Sequence, residues 1–220
     1  GHGFVATRPT GELTNRSPSV IFAVYVAEPV FAICAGLQIT FPSSNRMSTA
    51  SIVVVGSVNP DMVVKSERIP GPGVTVTGGT FFMPAGGKGA NQAVAAARLG
   101  AQVTLVAKVG DDMFGRQAIE NFKNEGILTD HIALDPENAT GVALILVDEA
   151  GENCISVAPG ANFAMTPADV DAAADAIRGA DVVLLQLEVP MAVVEHTAAL
   201  AAEAGVPVVL DPAPAAPLPE

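Results

Sequence analysis

Basic residues are scarce in this chain: 11 Lys and Arg stand against 23 Asp and Glu, for a net charge of −12. Such a balance argues against nucleic-acid binding through the phosphates, which needs clustered cations. It leaves ATP open, because one helix N-terminus or a single Lys makes a local anion site. Cysteine is nearly absent, and Cys34 and Cys154 form no disulfide framework. They read as ordinary free thiols of a reducing compartment. The three histidines, His2, His131 and His196, lie far apart and offer no metal cluster. No Ser or Cys has the surroundings of an activated nucleophile. Aromatic residues make up only 5% and Trp is missing. What is abundant is Ala, Val and Gly, with half the residues apolar. That composition fits a soluble α/β protein, and 220 residues suffice to bury a core as one large domain or two small ones.

The first 46 residues read differently from the rest. Gly1 to Arg16 is polar and unpatterned, and Ser19 to Phe41 is an apolar run broken by Glu28-Pro29. The run is long enough to span a bilayer, but Glu28 near its middle costs about 2.5 kcal/mol or more there. Residues 1–46 are therefore expected to be a leader or read-through segment outside the fold, with the natural start at Met47, residues 47–220 as the folded unit and no membrane association.

From Ile52 the pattern is regular. Strands are expected at Ile52–Gly56, Val103–Ala107, Val182–Leu187 and Val206–Leu210. Helices are expected at Ala90–Leu99 (closed by Gly100), Phe114–Glu125, Pro167–Ile177 (capped by Thr166) and Val189–Ala204. This alternation calls for a parallel sheet with helices on both faces. Val74–Phe82, and the pair Val142–Val147 and Cys154–Val157 joined by a hairpin signal, alternate in polarity instead. They predict a small separate layer open to water on one face, within about residues 65–85 and 140–160.

In an open parallel sheet, ligands bind beyond the carboxyl ends of the strands. Three such ends carry polar groups: Asn59-Pro60-Asp61, Glu188 and Asp211. Asn59, Asp61 and Asp211 can equally cap turns, whereas Glu188 ends an apolar run with no evident turn to make. Gly86-Gly87-Lys88-Gly89-Ala90-Asn91-Gln92 places three glycines around one Lys at the start of a helix. Close backbone approach, free N–H groups, Lys88 and Asn91 would together serve a ligand. It is not a Walker A loop, which needs Gly where Phe82 stands and Ser or Thr where Gly89 stands. As a bare Gly-rich turn it is also compatible with a purely structural role. Asp111-Asp112 reads as a turn entering the next helix.

Taken together these stretches resemble the ribokinase family of carbohydrate kinases. GGKGANQAVAAARLG (Gly86–Gly100) is close to the family's N-terminal signature. Gly56-Ser57-Val58-Asn59-Pro60-Asp61, Val109–Gly115, Thr140-Gly141-Val142-Ala143, Gly151-Glu152-Asn153, Gly160-Ala161-Asn162, Gln186-Leu187-Glu188 and Asp211–Ala215 surround it in family order. The resemblance implies a doubly wound, mostly parallel α/β fold with a β-sheet lid, incomplete at the C-terminus, and a homodimer paired through the lids. It implies that Asn59 and Asp61 bind sugar hydroxyls with Pro60 between them. Gly87, Lys88, Gly89, Ala90 and Asn91 line the sugar, and Glu188 binds it from the opposite strand. Val74 departs from the Glu that ribokinases commonly carry after Pro-Gly. The implied reaction moves the ATP γ-phosphate to the 5-hydroxyl of D-ribose in the cytoplasm, with Mg²⁺ and a monovalent cation (K⁺). The resemblance puts the ATP site and the catalytic base beyond Glu220. The chain alone is then expected to be inactive, with apolar surface uncovered and poor solubility. Two alternatives stand beside this reading. One is another sugar or nucleoside kinase of the superfamily; the other is a non-catalytic sugar-binding or dimerising module.

Overall fold

The computed structural model describes Ile21–Phe22 and residues 49–219. The expected leader, its apolar run and Cys34 lie outside the described residues, save for that one dipeptide. In chain order the strands and helices begin with β1 (Ile21–Phe22), β2 (Ser51–Val55), β3 (Asn59–Lys65), β4 (Thr80–Phe82), β5 (Ala85–Gly86) and α1 (Lys88–Arg98). They continue with β6 (Gln102–Gly110), α2 (Met113–Asn124), β7 (Ile132–Asp135), β8 (Val142–Val147) and β9 (Asn153–Ala158). After a 3-10 turn at Gly160–Ala164 come α3 (Pro167–Asp171), α4 (Ala174–Arg178), β10 (Val182–Leu185), α5 (Met191–Glu203) and β11 (Val208–Leu210).

Six strands form a parallel sheet in the order β1-β11-β10-β2-β6-β7. Successive side chains of a strand face opposite sides, so a strand buried on both reads as an unbroken apolar run. Val53 and Val55 pack with Val183, Leu185 and Val208 against α3, α4 and α5. Val54 packs with Val103, Leu105 and Phe122 on the side of α1 and α2. The expected doubly wound architecture is what forms. Its strand order turns at β2: α1 leads from β2 to β6 on one side, while β10 lies on the other.

The second layer is a five-stranded mixed sheet, β4-β3-β8-β9 with β5 paired to β3. β3 and β8 run parallel, with Asp61 opposite Ala143, and β8 and β9 form the expected hairpin. One expected strand is displaced. Val74–Phe82 is strand only over Thr80–Phe82, and the longer element is Asn59–Lys65. Asn-Pro-Asp reads locally as a turn, but parallel pairing with β8 supplies the ladder that extends this segment. Pro60 sits where β3 meets only the short β5, opposite Ala85.

Two other expectations shift. The helix expected over Pro167–Ile177 is interrupted at Ala172–Ala173 and forms α3 and α4, although Thr166 and Asp169 make a reciprocal capping box. β7 was not anticipated. Asp112 caps α2 as the turn reading required, accepting from the Phe114 and Gly115 N–H groups at 3.0 and 2.9 Å. Cys154 is a free, exposed thiol. Among the described residues no helix is long and apolar enough to cross a membrane.

Candidate functional site

β2 and β10 are neighbours in register, Val55 opposite Leu185. The segments leaving their carboxyl ends, Gly56–Ser57 and Gln186–Glu188, therefore emerge side by side at the turning point of the sheet, where such folds bind ligands. Gly56 and Gly89 are in close backbone approach, and a Cβ on Gly89 would stand 2.6 Å from the Gly56 carbonyl carbon. Gly87 takes φ +91°, and a Cβ there would lie 2.8–2.9 Å from the backbone of Ser57, Val58 and Asn59. Both glycines let the start of α1 settle against the end of β2.

Glu188 is the hub of the rim. Its Oε2 accepts from the Ser57 hydroxyl at 2.6 Å and from the Lys88 backbone N–H at 3.0 Å. Lys88 Nζ lies 3.9 Å from Oε1. Glu188 thus caps α1 from a different element. The Ser57 carbonyl accepts from Ala90 N–H, and the Ser57 hydroxyl oxygen from Gly89 N–H at 3.4 Å. The free helix N–H groups expected from the sequence are engaged, because fold and carboxylate satisfy them internally. What remains for a ligand is side-chain chemistry: two carboxylates and one ammonium.

Asp61 is the second carboxylate. Gly86 passes directly against it, leaving no room for a Cβ. Partial burial, with a contribution from the charge of Glu188, pushes the Asp61 carboxyl above its usual range. Asn59 is buried and shares a face of β3 with Asp61, two residues apart.

Asn59, Asp61, Gly87, Lys88, Gly89 and Glu188 are therefore brought together. Ala90 is present through its backbone, with its side chain in the core. Asn91 lines a groove of about 540 Å³ between α1 and α2, together with Val94, Arg98, Asn121 and Phe122. Asp211 follows β11, and the Ala213 carbonyl of that segment accepts from Leu187 N–H. Sequence reasoning missed three buried polar side chains. Ser57 orients Glu188. Asn162 bonds Val58 and Asn59. Gln186, fully buried, donates to Gln92 Oε1 at 2.6 Å. Each acts across about a hundred residues, and only the ordered family-like stretches marked them.

Two carboxylates, an ammonium and an amide in fixed positions are the donors and acceptors a polyol requires. They do not fit a polyphosphate, which would face Asp61 and Glu188 with the helix N–H groups already used. Among the described residues no group of three or more His, Cys, Asp or Glu side chains could hold a metal ion.

Residues 49–219 match the pfkB family of carbohydrate kinases. The chain is 46% identical over 170 residues to a bifunctional ribokinase/ribose-5-phosphate isomerase A of Fructilactobacillus sanfranciscensis, covering 77% of this chain and 32% of that protein. It is 45% identical over 168 residues to a ribokinase of Bacillus subtilis, covering 76% and 57%. Among solved structures, Arabidopsis thaliana ribokinase complexed with ribose and ATP superposes with a TM-score of 0.68 at 35% identity, covering 74% of this chain and 53% of that one. The chain thus spans roughly a third to a little over half the length of these proteins.

Proposed function

The chain belongs to the pfkB family of carbohydrate kinases, and from that premise we propose that it carries the sugar-binding half of a ribokinase. The observation that carries this reading is the convergence of Asp61, Lys88 and Glu188 on the rim between β2 and β10, with Asn59 beside Asp61. In this account Asp61 and Glu188 accept hydrogens from ribose hydroxyls. Asn59 and Lys88 donate to hydroxyl oxygens, Gly87 and Gly89 let α1 settle against β2, and Pro60 and the Ala90 backbone complete the lining, whereas Asn91 faces the α1–α2 groove. Each buried polar group left without its partner would cost about 1–3 kcal/mol, which gives selectivity for the sugar that satisfies all of them.

The proposed reaction of the whole protein is transfer of the ATP γ-phosphate to the 5-hydroxyl of D-ribose in the cytoplasm. ATP would supply the phosphoryl group, and Mg²⁺ with a monovalent cation would supply positive charge. No described residue is assigned to them; the nucleotide half belongs to the part of the family fold that the matched stretch does not span. Residues 47–220 form the folded unit in this reading, and the mixed sheet is its lid. The exposed apolar side chains Ile155 and Val157, which share one face of β9, support pairing of two lids in a homodimer.

Calorimetric titration with D-ribose, 2-deoxyribose and fructose, followed by a coupled ADP-release assay, tests the proposal. Heat with ribose exceeding that of the other sugars is expected, without ADP release by this chain alone. Equal heats for all three sugars, or none, would reject ribose as the substrate.

A further inference from the structure

Of the four stretches of chain that cross between the two layers, three meet at one side chain. Val58–Asn59 leads into β3, Thr140–Gly141 leads into β8, and Pro159–Asn162 leads out of β9. Asn162 is 2% exposed. Its Oδ1 accepts from Val58 N–H at 2.8 Å. Its Nδ2 lies 3.1 Å from the Val58 carbonyl, 3.0 Å from the Pro159 carbonyl and 2.8 Å from Asn59 Oδ1. Gly141 completes the node, since a Cβ there would collide with the Asn59 and Asn162 amides.

The chemistry of these partners fixes both amides. Val58 N–H can only donate, so it faces the oxygen of Asn162. The two carbonyls can only accept, so the nitrogen faces them. The Asn59 atom next to that nitrogen must then be its oxygen, which leaves Asn59 Nδ2 outside this network. We propose that Asn162 is a positioning residue that turns the Asn59 amide nitrogen toward the ligand, so that β3 presents a donor at Asn59 and an acceptor at Asp61. Neighbouring hydroxyls use both roles; the reverse orientation of Asn59 would present acceptors alone. Because the same side chain joins the stretches entering β3 and leaving β9, donor orientation is fixed together with the seat of the mixed sheet on the core. The ligand part of this inference rests on the sugar-binding reading above; the amide geometry does not.

Side-chain amide NMR on the 220-residue chain separates the two. The Asn162 pair should exchange slowly with solvent, with or without D-ribose. The Asn59 pair should exchange rapidly without sugar, then shift and slow as ribose is added. Asn162→Asp keeps the acceptor for Val58 N–H and removes the donor. It should draw the Asn59 nitrogen inward, slow its exchange before sugar is added, and weaken ribose binding roughly 10- to 100-fold. If that variant does not fold, the amide pairs of the unaltered chain decide. An Asn59 pair already protected without sugar, or unmoved while the Asp61 and Lys88 signals respond, would overturn the proposal. A titration in which no signal responds would reject sugar binding and the ligand part with it. Slow exchange at Asn162 would still support the node, and rapid exchange there would overturn it.

Discussion

Ser57 donates its hydroxyl hydrogen to Glu188 across 2.6 Å, although 131 residues separate them in the chain. The bond ties the end of β2 to the end of β10 and holds a carboxylate over the first turn of α1. Ser57→Ala should release Glu188 from one of its two bonds to Oε2. Ribose affinity should fall about 5- to 10-fold and stability by about 1–2 kcal/mol, from one lost hydrogen bond with a buried partner. Calorimetry and urea unfolding measure the two losses separately.

Asp61→Asn should move stability and binding in opposite directions. Burial, aided by Glu188, raises the Asp61 carboxyl. A raised carboxyl favours the fold below its unfolded value of about 3.9, and that contribution is lost as pH rises through the higher folded value. At pH 7 the ionised form is therefore a burden on the unliganded protein. The variant should melt higher than the parent at pH 7 and no higher near pH 3. Ribose affinity should drop about 10- to 100-fold, the range for a hydrogen bond to a charged group. Thermal melts at both pH values check the sign.

Asp112→Asn should destabilise the protein by about 1–3 kcal/mol at pH 7. Burial pushes this carboxyl up, but bonds from the Gly115, Thr140 and Phe114 N–H groups and the Thr140 hydroxyl outweigh it and hold it below its usual range. In the variant an NH₂ group replaces an oxygen that accepts from Thr140. A lowered carboxyl contributes stability above about pH 3.9, lost as pH falls through the folded value. The gap between parent and variant in urea unfolding should accordingly narrow below pH 4.

Gly87→Ala and Gly126→Ala form a paired control. Both glycines have positive φ, 91° and 77°, but only Gly87 would drive a Cβ into backbone. Gly126→Ala should cost about 1–2 kcal/mol, the left-handed penalty alone. Gly87→Ala should cost more and abolish measurable ribose binding, because α1 could no longer approach Ser57 and Asn59. Equal unfolding midpoints would contradict the close approach.

Much of this was legible in the chain. The apolar runs of β2, β6 and β10 announce strands buried on both faces, and the glycines of Gly86–Gly89 announce close approach, although its partner is the end of β2 and not the ligand that the sequence suggested. Glu188 stood out because an ionisable group ending an apolar run needs a reason. The strand at Asn59–Lys65 was hidden because its partner β8 lies some eighty residues away and Asn-Pro-Asp has a turn's local chemistry. Ser57 and Asn162 were hidden for a related cause: small polar residues right after a Gly, or shortly after a Pro-Gly pair, are common in turns, and only the assembled layers reveal what they hold. Engagement of the α1 N–H groups was likewise invisible, since it depends on residues from two other segments.

The most direct test of the central claim is a backbone ¹⁵N–¹H titration of this chain with D-ribose. The account predicts that the largest changes cluster at Ser57–Asp61, Gly86–Gly89 and Gln186–Glu188, with little change at Asn121 and Phe122 in the α1–α2 groove. Changes confined to that groove, or no change at millimolar ribose, would contradict the assignment of this rim as the sugar site.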